Sequence, residues 1–239
     1  MLGIGRRQSG GDPFFSSVVL LALNESGADG GTTFVDQSNS GHTLTANGNF
    51  QWDTAQAPTG LTSSGLLDGS GDFLSALDHD DWNLAAGDFA IDVWSRIPAV
   101  TANDALVAQN GAAGNRSWDL VWRGGLTRWR FIYSTDGTAT VNADFADTLS
   151  NNTWYHFAIA RDGVNLRAYR DGAQKGSTHN IGTSTLFDST ATLMIGRGIA
   201  GSSGEDFTGH LAAARITKGS NRGYTGTTIT VPDLPLPTS

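Results

Sequence analysis

The sequence predicts an all-β protein folded as a two-sheet antiparallel jelly-roll sandwich. Short segments of alternating polar and apolar residues are separated by Gly, Asn, Asp and Ser, and no long segment with a 3.6-residue period interrupts them. Between Thr153 and Ser177, three such segments are separated by Asp162-Gly163 and Asp171-Gly172. Because Asp-Gly tolerates positive φ at both central positions of a type I′ turn, this stretch predicts a three-stranded meander.

The alternating segments predict strands along the whole chain. In order they are Ser17–Leu23, His42–Ala46, Phe73–Leu77, Phe89–Ile97, Leu106–Asn110, Trp118–Arg123, Arg128–Tyr133, Thr138–Asp144, Tyr155–Arg161, Leu166–Arg170, Leu193–Ile195 and His210–Thr217. Strands this short and this numerous are typical of a sandwich whose two sheets enclose one core.

Successive residues of a strand point to opposite faces, so the alternation also predicts which side chains are inside. Three strands share one plan, with an apolar face that we assign to the core: Phe89, Ile91 and Val93; Trp118, Leu120 and Trp122; Trp129, Phe131 and Tyr133. Their opposite faces carry mixed charges and one tryptophan: Asp92, Trp94 and Arg96; Asp119, Val121 and Arg123; Arg128, Arg130 and Ile132.

Length and composition favour a single domain. Of the 239 residues 38% are hydrophobic, which is enough for one sandwich core, and 31 glycines with only 16% charged residues indicate many turns. We predict a Gly-rich N-terminal arm at residues 1–13, the domain at residues 14–231 and a Pro-rich tail at residues 232–239, which cannot form a central strand.

Several classes of partner and site are not expected. A formal net charge of −8 argues against nucleic acid, since phosphate binding requires clustered Lys and Arg. No apolar run is long enough to span a bilayer, so no membrane partner is expected, and the first residues lack the apolar run of a secretory signal. The chain has no cysteine, which excludes disulfides, thiolate metal sites and a cysteine nucleophile.

Six motifs, in this order, resemble the laminin G-like modules of the concanavalin A-like lectin and glucanase superfamily over roughly Phe15 to Pro232. They are Gly69–Leu74, Gly87–Trp94, Asn152–Gly163, Leu166–Gly172, Ile195–Arg197 and Phe207–Gly219. The resemblance implies a concanavalin A-like jelly roll. The opening Pro13–Leu23 and the closing Thr217–Gly219 are most similar to the versions found in bacteriophage virion proteins.

The chain departs from the family's pattern at two places. Arg170 stands where the family carries an apolar residue before Asp171-Gly172, which indicates local repacking. Alanines at Ala212–Ala214 replace acidic or bulky residues, which indicates that another backbone approaches closely there.

The residues do not support catalysis. A glucanase of this superfamily needs two carboxylates on one strand face, in a Glu-x-Asp-x-x-Glu arrangement, and the chain has only Glu25 and Glu205, each in a Gly/Ser-rich turn. A general base needs a nucleophile or an orienting acid in reach, and the place of His156 in a repeating structural motif favours a hydrogen-bonded sheet histidine, so we assign it a structural role. No catalytic residue and no resident cofactor are expected.

Calcium is the metal to consider, because the resemblance implies occasional Ca²⁺ sites and hard cations bind loop carboxylates. The candidate ligands are Asp72, Asp78, Asp80 and Asp81; the alternative is that these aspartates cap backbone groups in turns. The spacing of His42, His79, His179 and His210 matches no histidine metal motif.

A carbohydrate site combines an exposed aromatic ring, on which a sugar stacks, with a few fixed polar groups. The predicted set is centred on Trp94 and comprises Asp92, Trp94, Arg96, Asp119, Arg123, Arg128 and Arg130. The alternative is that these charges pair across neighbouring strands and that a loop covers Trp94.

These observations favour a non-enzymatic bacteriophage virion structural protein, a capsid decoration or a tail or fibre component, located in the virion. It would assemble with other virion proteins and with copies of itself, with adhesion to a host cell-surface glycan as a further role. The predicted assembly contacts are Leu2, Ile4, Arg6, Arg7, Leu234 and Leu236. One alternative is a carbohydrate-binding module of an extracellular or bacterial surface protein; a second is a glycoside hydrolase.

Overall fold

The computed structural model describes residues 11–198 and 205–239 and places fifteen strands within them. In chain order these are β1 (Val18–Ala22), β2 (Thr45–Asn47), β3 (Gln51–Asp53), β4 (Ser64–Asp68), β5 (Phe73–Ala76), β6 (Phe89–Arg96), β7 (Asn103–Asn110), β8 (Arg116–Arg123), β9 (Arg128–Tyr133), β10 (Val141–Ala146), β11 (Trp154–Asp162), β12 (Asn165–Arg170), β13 (Ala173–Asn180), β14 (Leu193–Ile195) and β15 (Thr208–Lys218). Short 3₁₀ turns lie at Phe15–Ser17, Asp80–Trp82 and Gly124–Leu126.

The strands form two antiparallel sheets, as predicted. Sheet A has the order β13-β12-β11-β6-β15-β4-β3, and β1 pairs with the C-terminal half of β15. Sheet B has the order β10-β9-β8-β7-β14-β5-β2. The all-β jelly-roll sandwich is therefore confirmed.

The core lies between the sheets and contains the side chains that the alternation predicts. Ile91 of β6 faces it from sheet A, and Trp118 of β8 and Phe131 of β9 face it from sheet B, all with no exposed surface. Each large apolar side chain buried in this way contributes about 1.5–3 kcal/mol to folding.

The predicted meander is β11-β12-β13, but only one of its turns has the predicted type. Asp171 and Gly172 both have positive φ, 49° and 80°, as a type I′ turn requires. Asp162 instead pairs with Asn165, so the first turn is centred on Gly163 and Val164. Of these two residues only Gly163 has positive φ, 58°. β11 runs one residue further than predicted, so Asp162 belongs to the strand and not to the turn.

Two strands were missed: β3 and β4, which are three and five residues long. β13 was predicted only as the third segment of the meander, and it extends to Asn180. All of its residues are exposed or half-buried and none is a large apolar residue. Its backbone pairs with β12 at the edge of sheet A.

Both departures from the family's pattern have local explanations. Arg170 binds Asp147 through two hydrogen bonds of 2.7 and 3.1 Å and covers the ring of Tyr155. Ala214 pairs with Ala22 of β1, and Ala213, with φ of 46° at a bulge, donates its backbone N–H to the carbonyl of Leu23. A neighbouring backbone does approach these alanines.

The predicted C-terminal tail, residues 232–239, contains no strand and packs on the sandwich. Leu236 is 2% exposed and packs in a cluster with Phe15 and Trp94 on the outer face of sheet A. Asn24 accepts a hydrogen bond from the backbone N–H of Leu236 (2.6 Å) and donates one to its carbonyl (3.0 Å). Leu234 is half-buried and packs against the same cluster.

The N-terminal segment is anchored on the same face from Asp12 onward. The Asp12 carboxylate accepts hydrogen bonds of 2.7 and 2.9 Å from Arg222. The predicted arm contacts Leu2, Ile4, Arg6 and Arg7 lie outside the described residues. In the described part of the chain, no helix has the length and apolar character needed to cross a membrane.

Candidate functional site

The predicted carbohydrate set is divided between the two sheets. Asp92, Trp94 and Arg96 lie on the outer face of sheet A, whereas Asp119, Arg123, Arg128 and Arg130 lie on the outer face of sheet B. The prediction of one shared surface is wrong, because alternation fixes the face of a side chain but not the sheet to which its strand belongs.

On sheet B, the arginines of β9 are paired. Asp144 of β10 accepts hydrogen bonds from Arg128 Nη1 (2.9 Å) and Arg130 Nη2 (2.9 Å). These contacts lower the pKa of Asp144, with the Arg130 hydrogen bond the largest cause. The alternative interpretation, cross-strand charge pairing, therefore describes these residues.

A second group on sheet B joins two carboxylates that are 86 positions apart in sequence. Asp119 has no exposed surface, and a Cβ added to Gly198 would lie 2.9 Å from its Oδ2 and 2.5 Å from Glu205 Oε2. Burial and the neighbouring Glu205 raise the pKa of Asp119 well above its usual range, while Arg123, which forms an ion pair with Glu205, opposes this. Sequence reasoning missed the pair of Asp119 and Glu205, because no local sequence pattern indicates that two such distant residues meet.

This pair does not make a catalytic centre in the arrangement observed. A glycosidase needs both carboxyl groups against the scissile bond, and Asp119 is completely covered. Glu205 is already engaged by Arg123.

On sheet A, Asp92 is the centre of a buried network. Its Oδ2 accepts from Arg215 Nη2 at 2.8 Å, and its Oδ1 accepts from the Tyr224 hydroxyl at 3.0 Å and lies 3.0 Å from His156 Nε2. Burial by itself would raise the pKa of Asp92, but Arg215 and His156 hold it well below its usual range. His156 is 2% exposed, in agreement with a structural role.

Trp94 is covered rather than exposed. It is 7% exposed, its ring lies 4.3 Å from that of His156, and the tail residue Leu236 belongs to the same cluster. A sugar therefore cannot stack on Trp94 while the tail is docked.

Trp154, at the start of β11, is a more accessible aromatic on this face. It is half-buried, and its backbone pairs with that of Arg96 on β6. The preceding Asn152, with φ of 59°, makes the turn that leads into the strand, and its N–H bonds to the carbonyl of Ile97 at 2.8 Å. Trp154 packs against the cluster that contains Trp94 and Leu236, as do the half-buried Leu61 and Leu234.

In the sheet, the backbone position of Arg96 lies between those of Trp154 and His210. His210 of β15 pairs with it on the side opposite Trp154, and the Trp154 and His210 ring centroids are 6.4 Å apart. Gly209 permits this approach, because a Cβ there would lie 2.2 Å from the Arg96 carbonyl oxygen. Trp154, Arg96, His210 and Asp53 are called the Trp154 patch below.

The polar groups of the Trp154 patch are fixed but not all satisfied. Asp53 is bound by His210 Nε2 at 2.8 Å, and within residues 11–198 and 205–239 the Arg96 guanidinium has no hydrogen-bond or ion-pair partner. Burial lowers the pKa of His210, opposed by Asp53, and His210 Nδ1 is a buried nitrogen with no partner among the described residues. A half-buried indole near an imidazole, on strands that also carry a free guanidinium, is suited to binding a polar ring.

Sequence reasoning found Arg96 but not Trp154. The signal was present in Asn152–Gly163, where Trp154 begins a strand at a turn, a position that tends to be accessible. The pairing with Arg96 depends on β6 and β11 becoming neighbours, which no local pattern specifies.

The four predicted calcium ligands do not converge, so the calcium prediction is not supported. Asp72 is buried and accepts from the N–H groups of Asn49 (2.8 Å) and Asp68 (3.0 Å). Asp78 accepts from Gln109, and Asp81 lies 2.8 Å from His42. The capping alternative describes Asp72.

A cavity of about 570 Å³ lies beside the Asp92 network, between the two terminal segments. Asp12, Phe14 and Tyr224 are among its lining residues, together with Arg215 and Arg222. In its lining, Asp12 is paired with both Arg215 and Arg222, so neither of the two arginines is as free as Arg96 of the Trp154 patch.

Solved structures with the same fold include binding domains of clostridial toxins. The binding domain of Paraclostridial Mosquitocidal Protein 1 has a TM-score of 0.67 at 15% identity, covering 87% of this chain and 51% of that one. The receptor binding domain of botulinum neurotoxin D has a TM-score of 0.63 at 17% identity, covering 87% of this chain and 51% of that one. The binding domain of botulinum neurotoxin DC in complex with SialylT has a TM-score of 0.62 at 14% identity, covering 87% of this chain and 49% of that one.

At these identities the likeness is one of fold, and the chain spans about half the length of each toxin domain. No curated protein matches the chain. A laminin G family model described as the concanavalin A-like lectin/glucanases superfamily matches residues 68–220, more than half of the sequence. Together with the two-sheet jelly roll, this match shows that the chain belongs to the concanavalin A-like lectin/glucanase superfamily.

Proposed function

We propose that the chain is a non-enzymatic glycan-recognition module whose binding surface is the Trp154 patch. The observation that carries this proposal is the half-buried Trp154, which pairs across the sheet with Arg96, a residue whose guanidinium has no partner in the described part of the chain. The indole provides a stacking platform, and Arg96 with His210 provides directional donors.

The ligand class that fits best is a glycan with an acidic sugar. A guanidinium binds a carboxylate through two parallel hydrogen bonds, which gives Arg96 a specific role. Support comes from the structural neighbours: one was solved with SialylT, and another is from botulinum neurotoxin type C, whose cell entry depends on interaction with two ganglioside molecules.

A glycan array followed by calorimetry with a bound glycan tests the proposal. Trp154→Ala should weaken binding at least about tenfold, as loss of a central aromatic contact does, and Arg96→Gln should act mainly on acidic glycans. Arg128→Ala is the control, because it removes an arginine from the opposite sheet. A protein that binds no glycan, or that binds equally well without Trp154, would refute the proposal.

We further propose that this module belongs to a bacteriophage virion, as a capsid decoration or a tail or fibre component that assembles with itself and with other virion proteins. The support is the resemblance of Pro13–Leu23 and Thr217–Gly219 to virion versions of the fold. Mass spectrometry of purified particles would detect the chain, and its absence from them would argue for a bacterial surface or secreted protein.

The assembly role is tested by deleting residues 1–10 and measuring the mass in solution. The deletion stops before Asp12, because that carboxylate binds Arg222 and Arg215. Without it, a loss of folding stability could not be distinguished from a loss of assembly. A folded monomer in place of an oligomer is expected; an oligomer of unchanged mass would exclude a role for the arm.

A further inference from the structure

Two histidines and one aspartate, from two separate loops, meet on the surface away from the Trp154 patch. His42 precedes β2, while His79 and Asp81 lie between β5 and β6. His42 Nε2 is 2.8 Å and His79 Nδ1 is 3.4 Å from Asp81 Oδ2. One potential ligand atom from each residue lies within 4.8 Å of the others, and the described residues contain no other such group of three.

We propose that His42, His79 and Asp81 bind a divalent transition-metal ion of the zinc class. Two imidazole nitrogens and one carboxylate oxygen are the donors that Zn²⁺ prefers, whereas Ca²⁺ takes six to eight oxygens. Three protein ligands leave a fourth position for water or another ligand.

The distances are close to those of a zinc site, but His79 Nδ1 has to release the hydrogen bond that it accepts from the Asp81 backbone N–H at 3.1 Å. Bonds of about 2.0–2.2 Å in a tetrahedral site separate the ligand atoms by about 3.3–3.5 Å. The His79–Asp81 separation already has this value, and the His42–Asp81 separation has to lengthen by about half an ångström as the ion replaces the shared hydrogen.

The ligands are held by groups around them. The His42 backbone N–H donates to Asp36 Oδ2 at 2.9 Å, and the His42 ring lies 4.5 Å from that of the buried Trp82. Ser40 Oγ donates to Asp81 Oδ2 at 2.8 Å, a contact of the kind that orients metal-bound carboxylates.

Charge and exposure also favour a cation. The side chains of His42, Asp81 and His79 are 13%, 20% and 53% exposed, so the group is open to solvent on the His79 side. Asp78 and Asp80 add negative charge nearby.

The ion would join two connections that pass between the sheets. The loop carrying His42 runs from β1 in sheet A to β2 in sheet B, and the loop carrying His79 and Asp81 runs from β5 in sheet B to β6 in sheet A. Zinc binding should therefore raise the melting temperature as well as give a binding signal.

The test is calorimetric titration of the tag-free full chain with zinc chloride. One ion per chain is expected, and His79→Ala and Asp81→Asn should each weaken binding by at least about tenfold, the loss that even an outer-shell change causes. His79→Ala is the main variant because its side chain is 53% exposed and its hydrogen bond from the Asp81 N–H caps only one 3₁₀ turn, so its loss should leave the sandwich folded. His179→Ala, which removes a half-buried histidine outside the group, is the matched control.

Three results would overturn the proposal. They are no zinc binding at millimolar concentration, binding that survives both His79→Ala and Asp81→Asn, and binding that His179→Ala weakens as much as His79→Ala does. Because these residues are separate from the Trp154 patch, each result leaves the glycan proposal untouched.

Discussion

The two outer faces of the sandwich each bury one aspartate, and the surroundings of the two are opposite. Asp92 on sheet A contacts Arg215, Tyr224 and His156, and its pKa is held low. Asp119 on sheet B lies beside Glu205, has no hydrogen bond of good geometry from the described residues, and its pKa is raised. Both are completely covered.

The difference shows that burial alone does not decide whether a carboxylate stabilises a fold. A buried charge with a full set of partners is costly to remove, because its partners lose their counter-charge. A buried charge beside another carboxylate favours its neutral form. Removing the charge of Asp92 on sheet A should therefore lower the free energy of unfolding, whereas removing that of Asp119 on sheet B should leave it unchanged or raise it.

The largest effect is expected from Asp92→Asn. Arg215, 1% exposed, would lose its main counter-charge, at a cost of about 3–5 kcal/mol in the free energy of unfolding. Urea denaturation followed by fluorescence measures it. A loss below about 1 kcal/mol would mean that Asp12, also in contact with Arg215, is enough to hold it.

Removing the cover of sheet A should be nearly as costly. Leu236→Ala deletes a side chain packed with Phe15 and Trp94 and should destabilise the protein by about 3 kcal/mol, with a shift in tryptophan emission as Trp94 becomes wetter. Leu234→Ala, at a half-buried position, is the matched control and should cost less. Equal effects of the two would contradict the docked tail.

Asp104 sharpens the comparison, since it is buried without a neighbouring carboxylate. Burial raises its pKa to about 6, opposed by a hydrogen bond from the Thr208 N–H. The folded state thus holds a proton that the unfolded state releases, so the stability is highest below the unfolded pKa near 3.8 and falls as pH rises through about 6.

Wild-type protein should therefore lose about 2 kcal/mol more than Asp104→Asn between pH 4.5 and pH 7.5. Urea unfolding at the two pH values measures this difference. Identical pH dependence of the two proteins would show that Asp104 is ionised throughout.

Asp119→Asn should have the opposite sign to Asp92→Asn. At pH 7.5 it removes a buried carboxylate beside Glu205 and should stabilise the protein by about 1 kcal/mol. The gain should shrink as pH falls toward 4, where the folded protein already holds the proton. Destabilisation at pH 7.5 would show that Asp119 needs its charge, as a ligand-binding carboxylate does.

The smallest effect is expected from Arg130→Ala on sheet B. Asp144 is 30% exposed and is also bound by Arg128, so the loss should stay below about 1 kcal/mol and fade at high salt. A loss as large as that of Asp92→Asn would remove the distinction between the two faces.

Much of the candidate site was hidden from sequence reasoning for one reason. Arg96 was assigned to an outer face correctly, but Trp154, His210 and Asp53 come from three other strands of sheet A. The four charged residues of sheet B were grouped with Arg96 because all were predicted to point outward. Outward direction is a local property, whereas strand order is not.

The sequence by itself determined the sandwich, the inward faces of β6, β8 and β9, and the meander with its Asp171-Gly172 turn. Those features follow from the two-residue period of a strand and from the φ angles that Asp and Gly tolerate. Only the tertiary structure decided that Asp119 meets Glu205, that His42 meets His79 and Asp81, and that the tail covers Trp94. These contacts depend on which strands and loops become neighbours, and long-range packing rather than local pattern selects them.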